Sequence, residues 1–114
     1  MDLLRGTLDL LLLKTLSWGP MHGLAMVRWI EQTTRDQLQI EEGALYPALH
    51  RMEHKRWISA EWGITESGRR ARYYELTRLG RRAMRDQTTA WTDYVGAVRQ
   101  IIAASSRKEA RARA

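Results

Sequence analysis

The hydrophobic period of this 114-residue chain changes twice, and those changes restrict the fold more than any single motif does. Apolar residues recur at helical spacing as far as about Arg56, alternate from Ile58 to Leu76, and return to helical spacing from Thr77 to about Ala104. Side chains three or four apart share one helix face, whereas alternate side chains share one strand face, so a single element cannot satisfy both patterns. The order that follows is helices, a short hairpin and a last long helix, a mainly α (α+β) fold.

From Leu4, the residues Leu8, Leu12 and Leu16 recur at fours, and Leu11 and Leu13 widen the stripe. A helix this apolar needs partners on two sides, and Leu8 and Leu12 are assigned to the side that meets a second copy of the chain. The stretch from Leu8 to Leu16 is broken by Asp9 and Lys14 and is shorter than the roughly 20 residues that cross a bilayer, so no membrane partner is expected. Gly19-Pro20 stops this helix, and a second runs from about His22, a candidate start residue, to Thr33, with Leu24, Val27 and Ile30 turned inward. After an extended Leu38-Gln39-Ile40, a third helix spans Gly43 to Arg56, its stripe made by Leu45, Leu49 and Met52. Pro47 is tolerated there if it lies in the first turn, where backbone N–H groups lack intrahelical partners.

Ile58, Ala60 and Trp62 alternate with Ser59 and Glu61, and Arg72, Tyr74 and Leu76 alternate with Tyr73 and Glu75, so two strands are predicted. The polar segment from Thr65 to Arg70 between them makes an antiparallel hairpin with a basic tip. Three helices and then a basic hairpin is the order of a winged helix-turn-helix. Thr77 is a candidate N-cap for the last helix, along which Met84, Thr88, Trp91, Val95, Val98 and Ile102 are spaced as a heptad seam. One helix cannot hide such a seam alone, so the chain is expected to form a homodimer through Leu8, Leu12, Met84, Trp91, Val95, Val98 and Ile102. The organisation expected is a winged-helix domain over 1–76, a dimerisation helix over 77–104 and a flexible basic tail over 105–114 containing Arg107, Lys108, Arg111 and Arg113.

Nineteen Lys and Arg against thirteen Asp and Glu leave a formal charge of +6, which attracts polyanions. The chain has no Cys, so disulfides, thiol nucleophiles and thiolate metal sites are excluded, and a cytoplasmic location fits. A helix-turn-helix offers its second helix to the major groove by the face turned away from the core. That face carries Ala44, Tyr46, His50 and Arg51, with Arg69, Arg70 and Arg72 on the hairpin as candidate phosphate or minor-groove contacts. His50, Glu53 and His54 also match the H-x-x-E-H pattern of inverted zinc peptidases, but such a site needs a further ligand and His22 is the one remaining histidine. No metal or cofactor is therefore expected, and the alternatives to DNA binding are a protein–protein adaptor of winged-helix shape and a zinc hydrolase. Trp18, Trp57 and Trp62 are read as core or hairpin packing. Trp91, midway along the seam, either fills the dimer interface or walls a slot for a small planar effector.

Four strings carry a resemblance to a known family: Leu4-Arg5-Gly6-Thr7-Leu8-Asp9, Gly19-Pro20-Met21-His22-Gly23, the run from Glu42 to Glu53, and Tyr73-Tyr74-Glu75-Leu76-Thr77 with Gly80 beyond. Over about residues 3–104 the chain resembles the PadR family of bacterial transcriptional regulators, in the subgroup with a single short C-terminal helix. The resemblance implies a winged helix with a C-terminal dimerisation helix, a palindromic operator and, usually, repression. It implies a DNA-contacting role for Tyr46, places Arg69, Arg70 and Arg72 in the wing, and likens Trp91 to the interface aromatic with which some members sense planar drugs; others sense phenolic acids.

Overall fold

The computed structural model describes residues 6–107. The expected start at Leu4 and the basic residues from Lys108 onward lie outside the described residues. The elements are α1 (Thr7–Thr15), a 3₁₀ turn (Leu16–Trp18), β1 (Met21–His22), α2 (Gly23–Thr33), α3 (Glu42–His54), β2 (Ile58–Ile64), β3 (Arg70–Leu76) and α4 (Arg78–Ala103). The strands form one antiparallel sheet in the order β1-β3-β2, so this is a winged helix-turn-helix with a long helix appended.

The core is assembled from one face of each element. Leu12, Leu13 and Leu16 meet Met26 and Ile30 of α2, Leu45, Ala48, Leu49 and Met52 of α3, and Ile58, Tyr74 and Leu76 of the sheet. The α3 stripe is thus as predicted, widened by Ala48. On α2 the stripe is rotated: Leu24 is exposed and Met26 is buried in its place. Leu12 has no exposed surface within its own protomer, so it belongs to the core rather than to the surface open to a second copy. Leu8 is partly buried against the same cluster. Trp57 packs on the core edge, but Trp18 and Trp62 do not lie in the core, being 66% and 62% exposed. Trp18 instead packs tilted against Trp29 with ring centroids 5.2 Å apart, and the Lys14 ammonium lies over its ring.

The caps follow local chemistry. His22 starts α2 by accepting the Ala25 N–H on Nδ1 at 3.2 Å. Pro47 falls in the second turn of α3, not the first, which leaves the Gly43 carbonyl without its usual i+4 donor. At the far end of α3, Arg56 takes a left-handed conformation (φ 63°). Its N–H bonds the Glu53 carbonyl and the Trp57 N–H bonds that of Met52, a Schellman closure. Thr77 then joins three elements, because its Oγ1 donates to the Arg56 carbonyl at 2.6 Å and accepts the Gly80 N–H at 3.0 Å. Gly80 is required there: a Cβ would lie 1.9 Å from the Trp57 carbonyl oxygen.

One feature departs from the two-strand expectation. Met21 and His22 add a third strand by pairing with Tyr74 and Tyr73, too short a segment for alternation to reveal. Leu38-Gln39-Ile40 forms no strand, although Ile40 is buried and its N–H bonds Glu31 Oε2 at 3.2 Å.

α4 leaves the core almost at once. Ala83 and Met84 pack on it, yet Gly80 is the one buried residue of the helix, and the molecule extends 62 Å along its long axis. Its radius of gyration is 17.6 Å, well above the ~13 Å of a compact domain of this length.

Candidate nucleic-acid interface

The alternation of β2 and β3 continues beyond the core. Ile58 faces Leu76, Ala60 faces Tyr74, Trp62 faces Arg72 and Ile64 faces Arg70, all on one side of the hairpin. The first two pairs close the core, and the last two form a wing. Its tip is a tight turn in which the Gly68 N–H bonds the Thr65 carbonyl and the Arg69 carbonyl accepts the Thr65 N–H, with Gly68 at φ 84°. A left-handed glycine at this position gives the bulged turn that matches the strand twist.

Between this wing and α3 lies an open cleft of about 1330 Å³. Tyr46, Pro47, His50 and Glu53 form its α3 wall, Trp62, Arg69, Arg70 and Arg72 its wing wall, and His22 and Arg28 its floor on the β1–α2 side. Arg28 is a cation without a signal in the sequence, because a lone arginine on the polar side of α2 has no mark until the fold turns that side into the cleft. Of the acids in the cleft, Glu53 accepts a bond from the Arg72 guanidinium at 2.8 Å, and Glu66 has no ion pair among the described residues. Arg28, Arg69 and Arg70 likewise have no ion pair among the described residues, so the cleft is electropositive.

The predicted site residues therefore divide. Ala44, Tyr46, His50 and Arg51 are all exposed on α3, and Arg69 and Arg70 are exposed on the wing. Two of the arginines are not the free cations expected. Arg51 pairs with Asp9 at 3.1 Å and ties α3 to α1, while Arg72 pairs with Glu53 and ties the wing to α3. Arg72 also lies over the Tyr74 ring at 5.8 Å. Burial pushes the Tyr74 hydroxyl above its ordinary pKa, with the Arg72 charge acting in the opposite direction. Tyr73 crosses the backbone of Gly63, where a Cβ would come within 2.7 Å of its ring, and its hydroxyl donates to the Ile64 carbonyl at 3.3 Å. His22 meets Tyr73 edge-on at 5.5 Å.

The H-x-x-E-H residues are not gathered as a metal site. Glu53 is held by Arg72, and among the described residues no group of three His, Cys, Asp or Glu side chains could hold a metal ion. Among the described residues, no helix is long and apolar enough to cross a membrane.

The family model of the transcriptional regulator PadR-like family matches residues 12–86, which takes in every helix-turn-helix and wing element from mid-α1 to the start of α4. The chain belongs to the PadR-like family. An uncharacterized protein of Lysinibacillus sphaericus is 30% identical to it over 101 residues, 89% of each chain. Among solved structures, a transcriptional regulator from Clostridium thermocellum superposes with a TM-score of 0.77 at 26% identity, covering 84% of this chain and 93% of that one. A PadR family transcriptional regulator from Eggerthella lenta gives 0.75 at 29% identity, covering 89% and 86%. As a member of this family the protein is a DNA-binding transcriptional regulator, and the cleft holds Arg28, Arg69 and Arg70, which have no ion pair among the described residues.

On α4, Met84 and Val95 are half-buried while Thr88, Trp91, Val98 and Ile102 are exposed, and Tyr94 and Ile101 broaden the exposed stripe. Trp91 and Tyr94 have ring centroids 6.4 Å apart. Tyr94 and Ile101 fall outside the strict heptad positions, which is why the seam as read from the sequence was narrower.

Proposed function

We propose that the protein is a homodimeric repressor that binds a palindromic operator, with α3 in the major groove and the wing on the adjoining backbone. The electropositive cleft carries this reading. It is larger than the roughly 300–1,000 Å³ of small-molecule sites, it is open, and its cations come from two separate parts of the fold, α2 and the wing, as suits contact with an extended polyanion. Ala44, Tyr46 and His50 face the groove and reach base edges or phosphates, while Arg69 and Arg70 bind phosphates. Arg51 and Arg72 act chiefly as struts that fix α3 against α1 and the wing.

The exposed stripe on α4 supports dimerisation. Trp91, Val98 and Ile102 sit in water on a helix about 39 Å long at 1.5 Å per residue, and a second copy of the same helix covers such a stripe by symmetry. Two α3 helices about 34–36 Å apart would then enter successive major grooves. A planar effector at Trp91 would need that second copy to close a slot, since among the described residues of one protomer Trp91 has a ring contact only with Tyr94. Such an effector would release DNA by favouring a dimer with the wrong α3 spacing.

The test is selection of genomic fragments by the purified protein, followed by footprinting. A twofold-symmetric protected site is expected. A protein that retains no duplex even at low salt is instead an adaptor with a winged-helix shape.

A further inference from the structure

Trp62 is the feature that neither packing nor the reading above absorbs. It lies on the same face of β2 as the buried Ile58, but four residues farther along, about 13 Å at ~3.3 Å per residue, beyond the edge of the core. There its indole is 62% exposed, on the wing wall of the cleft and opposite Tyr46, Pro47 and His50. The guanidinium of Arg70 is stacked on the ring at 4.7 Å. Arg70 makes no ion pair among the described residues, so stacking fixes the direction of the group and leaves its N–H donors free. Arg72, directly across the ladder from Trp62, is drawn back to Glu53, which leaves Trp62 and Arg70 as the exposed pair.

A planar apolar face beside an oriented cation has the same alternation as a duplex backbone, in which deoxyribose carbons alternate with phosphate oxygens. We propose that Trp62 is a DNA-contacting residue: its indole packs on a deoxyribose of the strand lying between α3 and the wing, while the stacked Arg70 bonds the adjoining phosphate. The proposal rests on the reading of the cleft as the DNA site and adds to it an uncharged, sequence-independent contact. Loss of Trp62 removes no charge, so it lowers affinity without changing the salt dependence, whereas loss of Arg70 changes both.

The full chain is titrated with a random-sequence 30-base-pair duplex and, in parallel, a 15-nucleotide single strand, across a salt series starting near about 50 mM. Trp62→Ala is expected to weaken duplex binding roughly tenfold, near the lower range seen when an aromatic stacked on nucleic acid is truncated. Its salt slope stays that of the wild type. Arg70→Ala is expected to lower the slope by about one. Trp62→Phe retains a planar face and binds within about threefold of wild type, but abolishes the change in tryptophan fluorescence on adding duplex. This variant decides the matter if Trp62→Ala does not fold. A Trp62→Phe protein whose fluorescence still responds fully to duplex overturns the proposal, as does a Trp62→Ala protein that folds and binds as wild type does. In both cases the reading of the cleft stands. Tighter binding of the single strand than of the duplex also overturns it, in favour of stacking on bases. A wild-type protein indifferent to every duplex removes the reading of the cleft itself.

Discussion

Helices α3 and α4 carry apolar stripes of similar spacing and put them to opposite uses. In α3, four of thirteen residues are buried, and Leu45, Leu49 and Met52 are all consumed inside the protomer. In α4, one of twenty-six is buried, and Ile102 remains 77% exposed. The difference lies in what each helix has opposite it. α3 is pressed between α1, α2 and the base of the hairpin, so its polar side is the one left to face outward. α4 departs from the core after Met84, so its apolar side is what it offers. The proposed reading head and the proposed coupling helix thus arise from one pattern, and each presents the face that the core does not take.

The strongest way to break this contrast is to detach α4 from the rest. Gly80→Ala forces a Cβ against the Trp57 carbonyl, where no flexible side chain can give way, and should cost more than about 3 kcal/mol. Thermal unfolding followed by circular dichroism checks it, and a melting temperature equal to wild type would show that the junction is looser than described. Next in size is a matched pair. Leu49→Ala should cost about 2–5 kcal/mol at every protein concentration. Ile102→Ser should leave the protomer's own stability within about 0.5 kcal/mol but remove the concentration dependence of unfolding and shift sedimentation toward monomer. If both substitutions behave alike, the two helices do not differ as argued.

Smaller effects sharpen the same comparison at its hinge. Thr77→Ala deletes the α4 cap and the bond to the Arg56 carbonyl together, and a loss of about 1–2 kcal/mol is expected in denaturant titration. The smallest effect concerns the α3–α1 strut. A double-mutant cycle of Asp9→Asn and Arg51→Gln should give a coupling of under about 1 kcal/mol, because the Arg51 side chain is 56% exposed and the pair is screened. A larger coupling would show that the strut is less screened than the exposure of Arg51 implies.

The readings that succeeded from sequence were those with local causes. The α3 stripe, the Thr77 cap, the His22 start and the hairpin with its basic tip are each fixed by residues within a few positions of one another. The readings that changed depend on what lies across space. Leu24 and Met26 exchanged places because the rotation of α2 is set by its neighbours. Met21 and His22 became a strand because β3 was there to pair with. Arg51 and Arg72 resemble free cations in the sequence, and only the approach of Asp9 and Glu53 turns them into struts. Trp62 continues the alternation of Ile58 and Ala60, and nothing in the sequence marks where the core under that strand ends.

By itself, the order of residues determined the elements, their caps and their period, since these follow from backbone sterics and bonds made within a turn or two. The tertiary arrangement decided which cations stay unpaired, which tryptophans face water and which apolar stripe is left over. Those outcomes depend on distances between residues far apart in the chain, and a distance between two faces exists only once the faces have met.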